Sequence, residues 1–348
     1  MSIFEKISSQ KAQNLPFVVY RKPNENKLSA FFQKDNVLHE TTSFSESGFV
    51  FCSFDGLQNI ILEQKNCDVL AEDVKFEDHE FSINQNISQN VSSKESHINL
   101  VQYAINEINS SYCTKIVISR KETISTEIDF IIFFKKLLYF NSIAFVYIWF
   151  HPKAGFWMGA FGEQLLKVEN NILSTMSLAG TQKIVENHSV VWTEKEYAEQ
   201  QIVTDFIVSA LTNNIEKIEV STPKTIISGN VAHLKTDISG PLKPNYNLKN
   251  IINSLHPTPA VCGFPRNEAK DFILRNENYN REFYSGFLGE LNMETDQSQT
   301  NLFVNLRCVK INADSVDVFV GGGITKDSNA ESEWEETVQK SMAIKKLL

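Results

Sequence analysis

The sequence predicts an α+β fold: large, mostly antiparallel sheets flanked by helices. Two observations carry this. Apolar runs of strand length follow one another across short polar or glycine turns, and hairpins of that kind pair antiparallel. Helical periods fall between groups of strands, without the strict alternation of strand and helix that a doubly wound parallel sheet requires. The 348 residues suit one large domain or two ordinary ones, and 42% hydrophobic with 22% charged residues is a globular composition.

Residues 1–95 read as a strand-rich part of the same fold, with "PFVVYR", "KLSAFFQ" and "GFVFCSF" set between polar turns. The polar stretch "NQNISQNVSSKES" is the linker to residues 96–348. A helix is expected from about His97 to Asn109, where Val101, Ala104, Ile105 and Ile108 share a face. The strand "TKIVISRK" follows, then a helix over about Glu127 to Tyr139. "AFVYIWF" and "GFWMGAFGEQLLKV" form an antiparallel pair through His151-Pro152, and "NNILSTMSLAGTQK" is a further strand ending in Gly180-Thr181. From about Thr193 to Leu211 a helix carries Glu199, Ile202, Val203, Phe206 and Ala210 on one stripe. "VAHLKTDISGPL" reads as a strand, "LHPTPAVCGFP" as a proline-stiffened segment, and about Asn267 to Glu277 as a helix. "EFYSGFLGEL", "LFVNLRCVKI" and "DSVDVFVG" are strands leading to the closing helix.

The closing stretch, "FVGGGITKDSNAESEWEETVQK", is the most informative. A strand breaks on Gly321, Gly322 and Gly323, which let bare backbone amides approach an anion. Ser328 followed by Glu331 has the capping-box spacing of a helix start. Within that helix Glu333, Glu336 and Lys340 share a face that continues into Ala343, Ile344 and Leu347. Glu196 and Glu199 repeat the pattern on the earlier helix. Either pair alone is a solvated helix face or a complement to the helix dipole. Two acid pairs heading apolar stripes on two helices favour a hard divalent cation, magnesium before a soft metal, since no Cys or His accompanies them.

Other residues carry two readings each. Lys115 opens an apolar strand and either snorkels to the surface or acts, desolvated, as a general base. Glu163 sits on a strand-to-strand connection, as a turn carboxylate or as a general acid in an apolar setting. Arg307, inside a strand-like run, calls for an anionic partner such as a substrate carboxylate. His233 and His256 taken singly read as structural. The net charge of −9 argues against nucleic acid or an anionic membrane surface as partner. Five scattered cysteines without a CxxC pair indicate neither zinc nor a disulfide framework. The first residues lack an apolar signal core and no apolar run is long enough to span a bilayer, so the chain reads as soluble and cytoplasmic.

In order, "KIVISRK", "GAFGEQLL", "SLAGTQ", "KEYAEQ", "VAHLKT", "LHPTPAVCGFP", "REFYSGFLGE", "VNLRCVKI" and "GGGITKDSNAESEWEETVQK" resemble the motifs of the chorismate-utilising enzymes. That family includes isochorismate synthase, salicylate synthase, anthranilate synthase component I and aminodeoxychorismate synthase component I. The likeness runs from about residue 100 to the C-terminus, making 96–348 the chorismate-binding catalytic region. It implies two large, mostly antiparallel sheets enclosing a site for chorismate and Mg2+. Glu199 and Glu336 would be direct metal ligands, with Glu196 and Glu333 acting through water. Gly180 and Lys340 would assist at the ring carboxylate, and Thr181 would bind the substrate. Arg307 and the Gly321 amide would hold the enolpyruvyl carboxylate beside Tyr284, while Ala260, Leu306 and His233 would line the substrate.

The resemblance also implies a branch. Members that add ammonia carry glutamine where this chain has Lys115, and aminodeoxychorismate synthase has a lysine where this chain has Ala179. A water-adding enzyme is therefore implied, with Lys115 as base, Glu163 as acid and isochorismate as product. It would act as a monomer without a glutamine amidotransferase subunit, and would feed menaquinone or siderophore synthesis. Salicylate synthase and a binding-only relative are the alternatives. The chain departs from the family pattern at Phe161-Gly162 (commonly Ser-Pro), Gln200 (usually histidine) and Cys262 (usually glycine).

Overall fold

The computed structural model describes residues 1–76, 80–84, 93–183, 190–228, 231–293 and 299–348; the side chains of Thr181, Lys183, Lys195, Ser228 and Val231 are also outside the description. Most of the expected linker, 85–92, lies outside the described residues.

Two large antiparallel sheets form the body. The first runs in the order Gly263–Phe264, Lys115–Ser125, Ser315–Ile324, Cys308–Ile311, Gly155–Phe161, Phe145–His151, Phe17–Arg21, Lys27–Gln33, Cys67–Asp73. The second runs Glu219–Val220, Val231–Pro241, Ile172–Lys183, Gln164–Glu169, Gln299–Val304, Phe287–Met293, Gly48–Cys52, Asn59–Glu63, with Lys224–Ser228 also paired to Val231–Pro241. The N-terminal strands do not stand apart. Phe17–Arg21 pairs with Phe145–His151, and Gly48–Cys52 pairs with Phe287–Met293.

The facing sides of the sheets are strongly aromatic. Tyr20, Trp149 and Trp157 from the first sheet meet Phe49, Phe51 and Phe303 from the second in one buried cluster. Phe145 stacks on Phe303 with ring centroids 4.5 Å apart, and Phe51 lies 4.9 Å from Trp149. Each such ring contributes about 2–3 kcal/mol by leaving water. Helices cover the outer faces. Ile3–Ala12 and Phe130–Phe140 pack on the first sheet, and Glu194–Leu211 and Leu248–Leu255 on the second.

Two runs expected as continuous strands are broken, and the breaks place the chemistry. Gly155–Phe161 lies in the first sheet and Gln164–Glu169 in the second, so the chain changes sheet at Gly162-Glu163. "LFVNLRCVKI" likewise divides into Gln299–Val304 in the second sheet and Cys308–Ile311 in the first. Arg307 therefore sits on a crossover and not within a central strand, and its positive φ of 46° turns the chain between sheets. The two crossovers touch: Val304 N donates to Glu163 O at 2.9 Å, and Ala160 N to Arg307 O at 3.4 Å.

Other differences are local. The first helix, Ile3–Ala12, was not anticipated, although Ser2 and Glu5 make a full capping box. Neither was Leu248–Leu255, which Asn247 caps. The segment before Phe287 is a series of turns, with Glu282 and Ser285 at φ of 50° and 61°. The closing helix, Ala330–Lys345, is capped by Asn329, whose side chain accepts from Ser332 N. The Ser328 hydroxyl is otherwise engaged, donating to Glu333 Oε1 at 2.7 Å.

Candidate active site

At the crossovers the buried carboxyl of Glu163 faces the charges of Lys115 and Arg307. Burial pushes its pKa up to about 7, against the downward pull of both cations. Near neutrality Glu163 thus holds a proton it can give away. Burial lowers the pKa of Arg307, and Glu163 opposes that shift. His233 is brought into the same field. Burial, then Arg307, lowers its pKa to about 4, with Lys340 adding to the effect, so it is neutral. Its Nδ1 lies 3.1 Å from Gly180 O. A carbonyl only accepts, so Nδ1 carries the proton.

Lys115 opens the strand Lys115–Ser125 and is buried, with its Nζ 2.7 Å from Glu199 Oε1. The strand runs beside Ser315–Ile324, register-paired through Gly321 with Ser119 and Gly323 with Val117. The glycines are needed for room. A Cβ on Gly323 would stand 2.8 Å from Lys115 Cε and 3.6 Å from Glu199 Oε1. One on Gly322 would meet Glu333 Oε2 at 3.2 Å, and one on Gly321 the Tyr284 hydroxyl at 2.9 Å. The glycine strand is thus flanked by acids from both helices, by Lys115 and by Tyr284.

The remaining acids are engaged locally. Glu336 pairs with Lys340 at 2.6 Å, and Lys340 Nζ also donates to Gly321 O at 2.9 Å. Glu196 closes the capping box of its own helix by accepting from Thr193. Burial alone would raise its pKa, but the Thr193 hydroxyl and amide hold it below the ordinary carboxylate value. Gly180, at φ +69° on a bulge, brings its backbone to Glu196, where a Cβ would stand 3.2 Å from that residue's Cβ.

Both helix stripes differ from expectation by a rotation. On the earlier helix the buried face is Gln200, Val203, Thr204, Ile207 and Leu211, with Glu199 half-buried at its margin. On the closing helix Trp334, Thr337, Val338, Ser341, Ile344 and Lys345 are buried, Ala343 is exposed, and the acids flank the packed face. At a stripe's edge a carboxylate reaches the glycine strand without being driven into the core. Among the described residues no three His, Cys, Asp or Glu side chains close into a ligand set. The donor chemistry nevertheless suits a hard cation: carboxylate oxygens from two helices, two of them holding lysine ammonium groups.

Tyr284 is buried and stacks on Phe319 with ring centroids 5.5 Å apart. Ala260 and Leu306 are half-buried against the second sheet's core. Thr181 pairs with His233 in the strand register, and its side chain lies outside the described residues. Sequence reasoning missed Arg281. Its guanidinium is fully inside, bidentate to Glu277 at 2.6 and 2.7 Å, and donates to Val117 O and Val261 O. It thereby ties the Lys115 strand to the proline-rich segment carrying Ala260. Glu277 and Arg281 are four apart but lie beyond the helix Arg266–Asn276 among Asn276, Asn278, Asn280 and Glu282, so no local pattern marked the pair as buried.

A family model described as chorismate binding enzyme matches residues 48–348. The chain belongs to the chorismate-binding enzyme family. This family member is 28% identical over 257 residues to isochorismate synthase MenF of Haemophilus influenzae, covering 70% of this chain and 58% of that protein. It is 28% identical over 234 residues to isochorismate synthase EntC of Escherichia coli K12, covering 64% of this chain and 59% of that one. The matched stretches thus span somewhat under two thirds of both relatives. Among solved structures, the menaquinone-specific isochorismate synthase MenF of Escherichia coli superposes with TM-score 0.83 at 20% identity, covering 100% of this chain and 91% of that chain. Anthranilate synthase component I of Streptococcus pneumoniae superposes with TM-score 0.71 at 17% identity, covering 95% and 92%. At those identities the likeness establishes the α+β two-sheet fold.

Proposed function

We propose that this chain is an isochorismate synthase, converting chorismate to isochorismate with Mg2+. The observation that carries the reading is the acid–base pair: a buried Glu163 whose pKa stands at about 7, with the charge of the buried Lys115 acting on it. Arg307 and the Gly321 amide grip the enolpyruvyl carboxylate, with Tyr284 against that end and Ala260 and Leu306 along the ring. Gly180 and Lys340 assist at the ring carboxylate, Thr181 binds the substrate, and His233 lies beside the ring. Glu199 and Glu336 would hold the cation directly, and Glu196 and Glu333 through water. Mg2+, when bound, neutralises the ring carboxylate and keeps it in place.

Lys115 takes a proton from the water that attacks C2, and Glu163 gives its proton to the hydroxyl leaving C4 as the double bonds shift. Lys115 also sets the nucleophile as water and not ammonia, which removes the need for a glutamine amidotransferase subunit. We read the enzyme as a cytoplasmic monomer supplying menaquinone or catechol siderophore synthesis. No helix among the described residues is long and apolar enough to cross a membrane.

The test is a product assay on the purified chain with chorismate and Mg2+, and ammonium in a parallel reaction. Isochorismate in both supports the reading. Salicylate with pyruvate moves the chain to the lyase branch. An aminated product overturns the role of Lys115, and chorismate bound without turnover makes it a binding-only relative.

A further inference from the structure

We propose that Gln200 is a positioning residue for Glu199. Through a closed ring of buried hydrogen bonds it locks the rotation of its helix, so that the neighbouring Glu199 faces Lys115 and the glycine strand. The inference rests on the reading of Glu199 as a metal ligand.

Gln200 is 1% exposed and lies on the packed face of Glu194–Leu211. Its side-chain nitrogen donates to Ser177 Oγ at 2.8 Å and to Thr236 Oγ1 at 2.6 Å. Ser177 and Thr236 are cross-strand partners in the second sheet, so one amide spans two strands at a single register position. The direction of the remaining bonds follows from proton count. Thr204 Oγ1 donates to Gln200 O at 3.1 Å, which uses the only hydroxyl proton Thr204 has. In the 2.7 Å contact between Ser177 and Thr204, Ser177 is therefore the donor. The donor chain leaves the Gln200 side chain, passes through Ser177 and Thr204, and returns to the Gln200 carbonyl.

All four residues are buried, with Ser177 at 0% and Thr236 at 1% exposure. Broken hydrogen bonds in such a place are not replaced by water, so rotation or slippage of the helix is strongly opposed. The apolar neighbours on that face, Val203, Ile207 and Leu211, tolerate small slips that directional bonds do not. One residue is a turn of about 100° on a helix. Fixing Gln200 inward therefore fixes Glu199 at the margin, with Oε1 2.7 Å from Lys115 Nζ. A neutral histidine here, as the resemblance would lead one to expect, has a single N–H and cannot donate to both hydroxyls. Gln200, Ser177, Thr204 and Thr236 are a matched set.

The test compares the full chain with Gln200→Leu and Thr236→Val. Mg2+ is titrated calorimetrically in the presence of chorismate, and turnover is followed against Mg2+ concentration. Changing a group that orients a metal ligand typically costs 10–100-fold in affinity or activity. We expect Gln200→Leu to raise the Mg2+ needed for half-maximal turnover about tenfold or more. Thr236→Val, which removes one acceptor and so one hydrogen bond, should move it by about threefold. At saturating Mg2+, kcat and the KM for chorismate should stay within about twofold of the parent. A merely structural role would lower kcat with the folded fraction and leave the Mg2+ requirement in place. If the parent binds Mg2+ and either soluble variant keeps its affinity, the positioning role is overturned while the metal reading stands. If Gln200→Leu does not fold, Thr236→Val decides alone. A parent that neither binds nor needs Mg2+ overturns the metal reading and the inference together.

Discussion

Replacing Glu163 by glutamine should remove activity and, above neutral pH, make the protein more stable. The native carboxyl has a pKa of about 7 against an ordinary 4.5, chiefly because burial penalises its charge. Between those values the folded state binds more protons at this residue than the unfolded chain. Stability from this group is therefore largest below pH 4.5 and falls as pH rises toward 7. At about 1.4 kcal/mol per pH unit, the whole window is worth about 3 kcal/mol. Glutamine nearly matches the shape and does not titrate, so the variant should lose that slope. By size scaling the difference corresponds to a melting temperature about 4 °C higher than the parent at pH 8, shrinking toward zero at pH 5. Urea and thermal melts of both proteins at pH 5, 6, 7 and 8 measure this directly. Turnover should fall by about 10²–10⁴-fold, the usual contribution of a positioned acid. If the two proteins show parallel stability across the series, Glu163 does not titrate as argued. If Glu163→Gln keeps near-normal turnover, it is not the proton donor.

Lys115→Ala should abolish hydration while leaving Mg2+-dependent chorismate binding measurable by calorimetry; retained turnover would assign the base elsewhere. Glu336→Ala should remove the metal dependence of chorismate binding, and an unchanged Mg2+ titration would exclude it as a ligand. Gly323→Ala places a methyl 2.8 Å from Lys115 Cε, at the end of a flexible side chain. It should therefore leave the melting temperature within about 2 °C of the parent yet cut turnover at least about tenfold by displacing the amine. Equal losses of stability and turnover would show that the glycine serves packing instead.

Much of the architecture was legible in local pattern. The helix with Val101, Ala104, Ile105 and Ile108 on one face is present as Lys94–Ser110, with those four residues buried. The strand ending in three glycines is also present, as Ser315–Ile324. What misled was neighbour choice. Glu199 and Gln200 are adjacent, and both continue plausibly into apolar stripes. Only the hydroxyls of Ser177 and Thr236 across the interface select Gln200 as the buried one. Ser328 and Asn329 are both good caps, and the competing demand of Glu333 on the serine hydroxyl leaves the cap to Asn329.

By itself the sequence determined the fold class and the types of group available: carboxylates, a lysine, an arginine and a run of glycines in the order that resembles one family. Those follow from periodicity, turn chemistry and residue spacing, which are local. Only the tertiary structure decided that Glu163 and Arg307 occupy touching crossovers between two sheets. It likewise brought Lys115 and Glu199 into contact across 84 positions of chain. The reason is physical: crossover points arise where aromatic faces of two sheets close on each other. The desolvation that lifts the Glu163 pKa exists only after that closure.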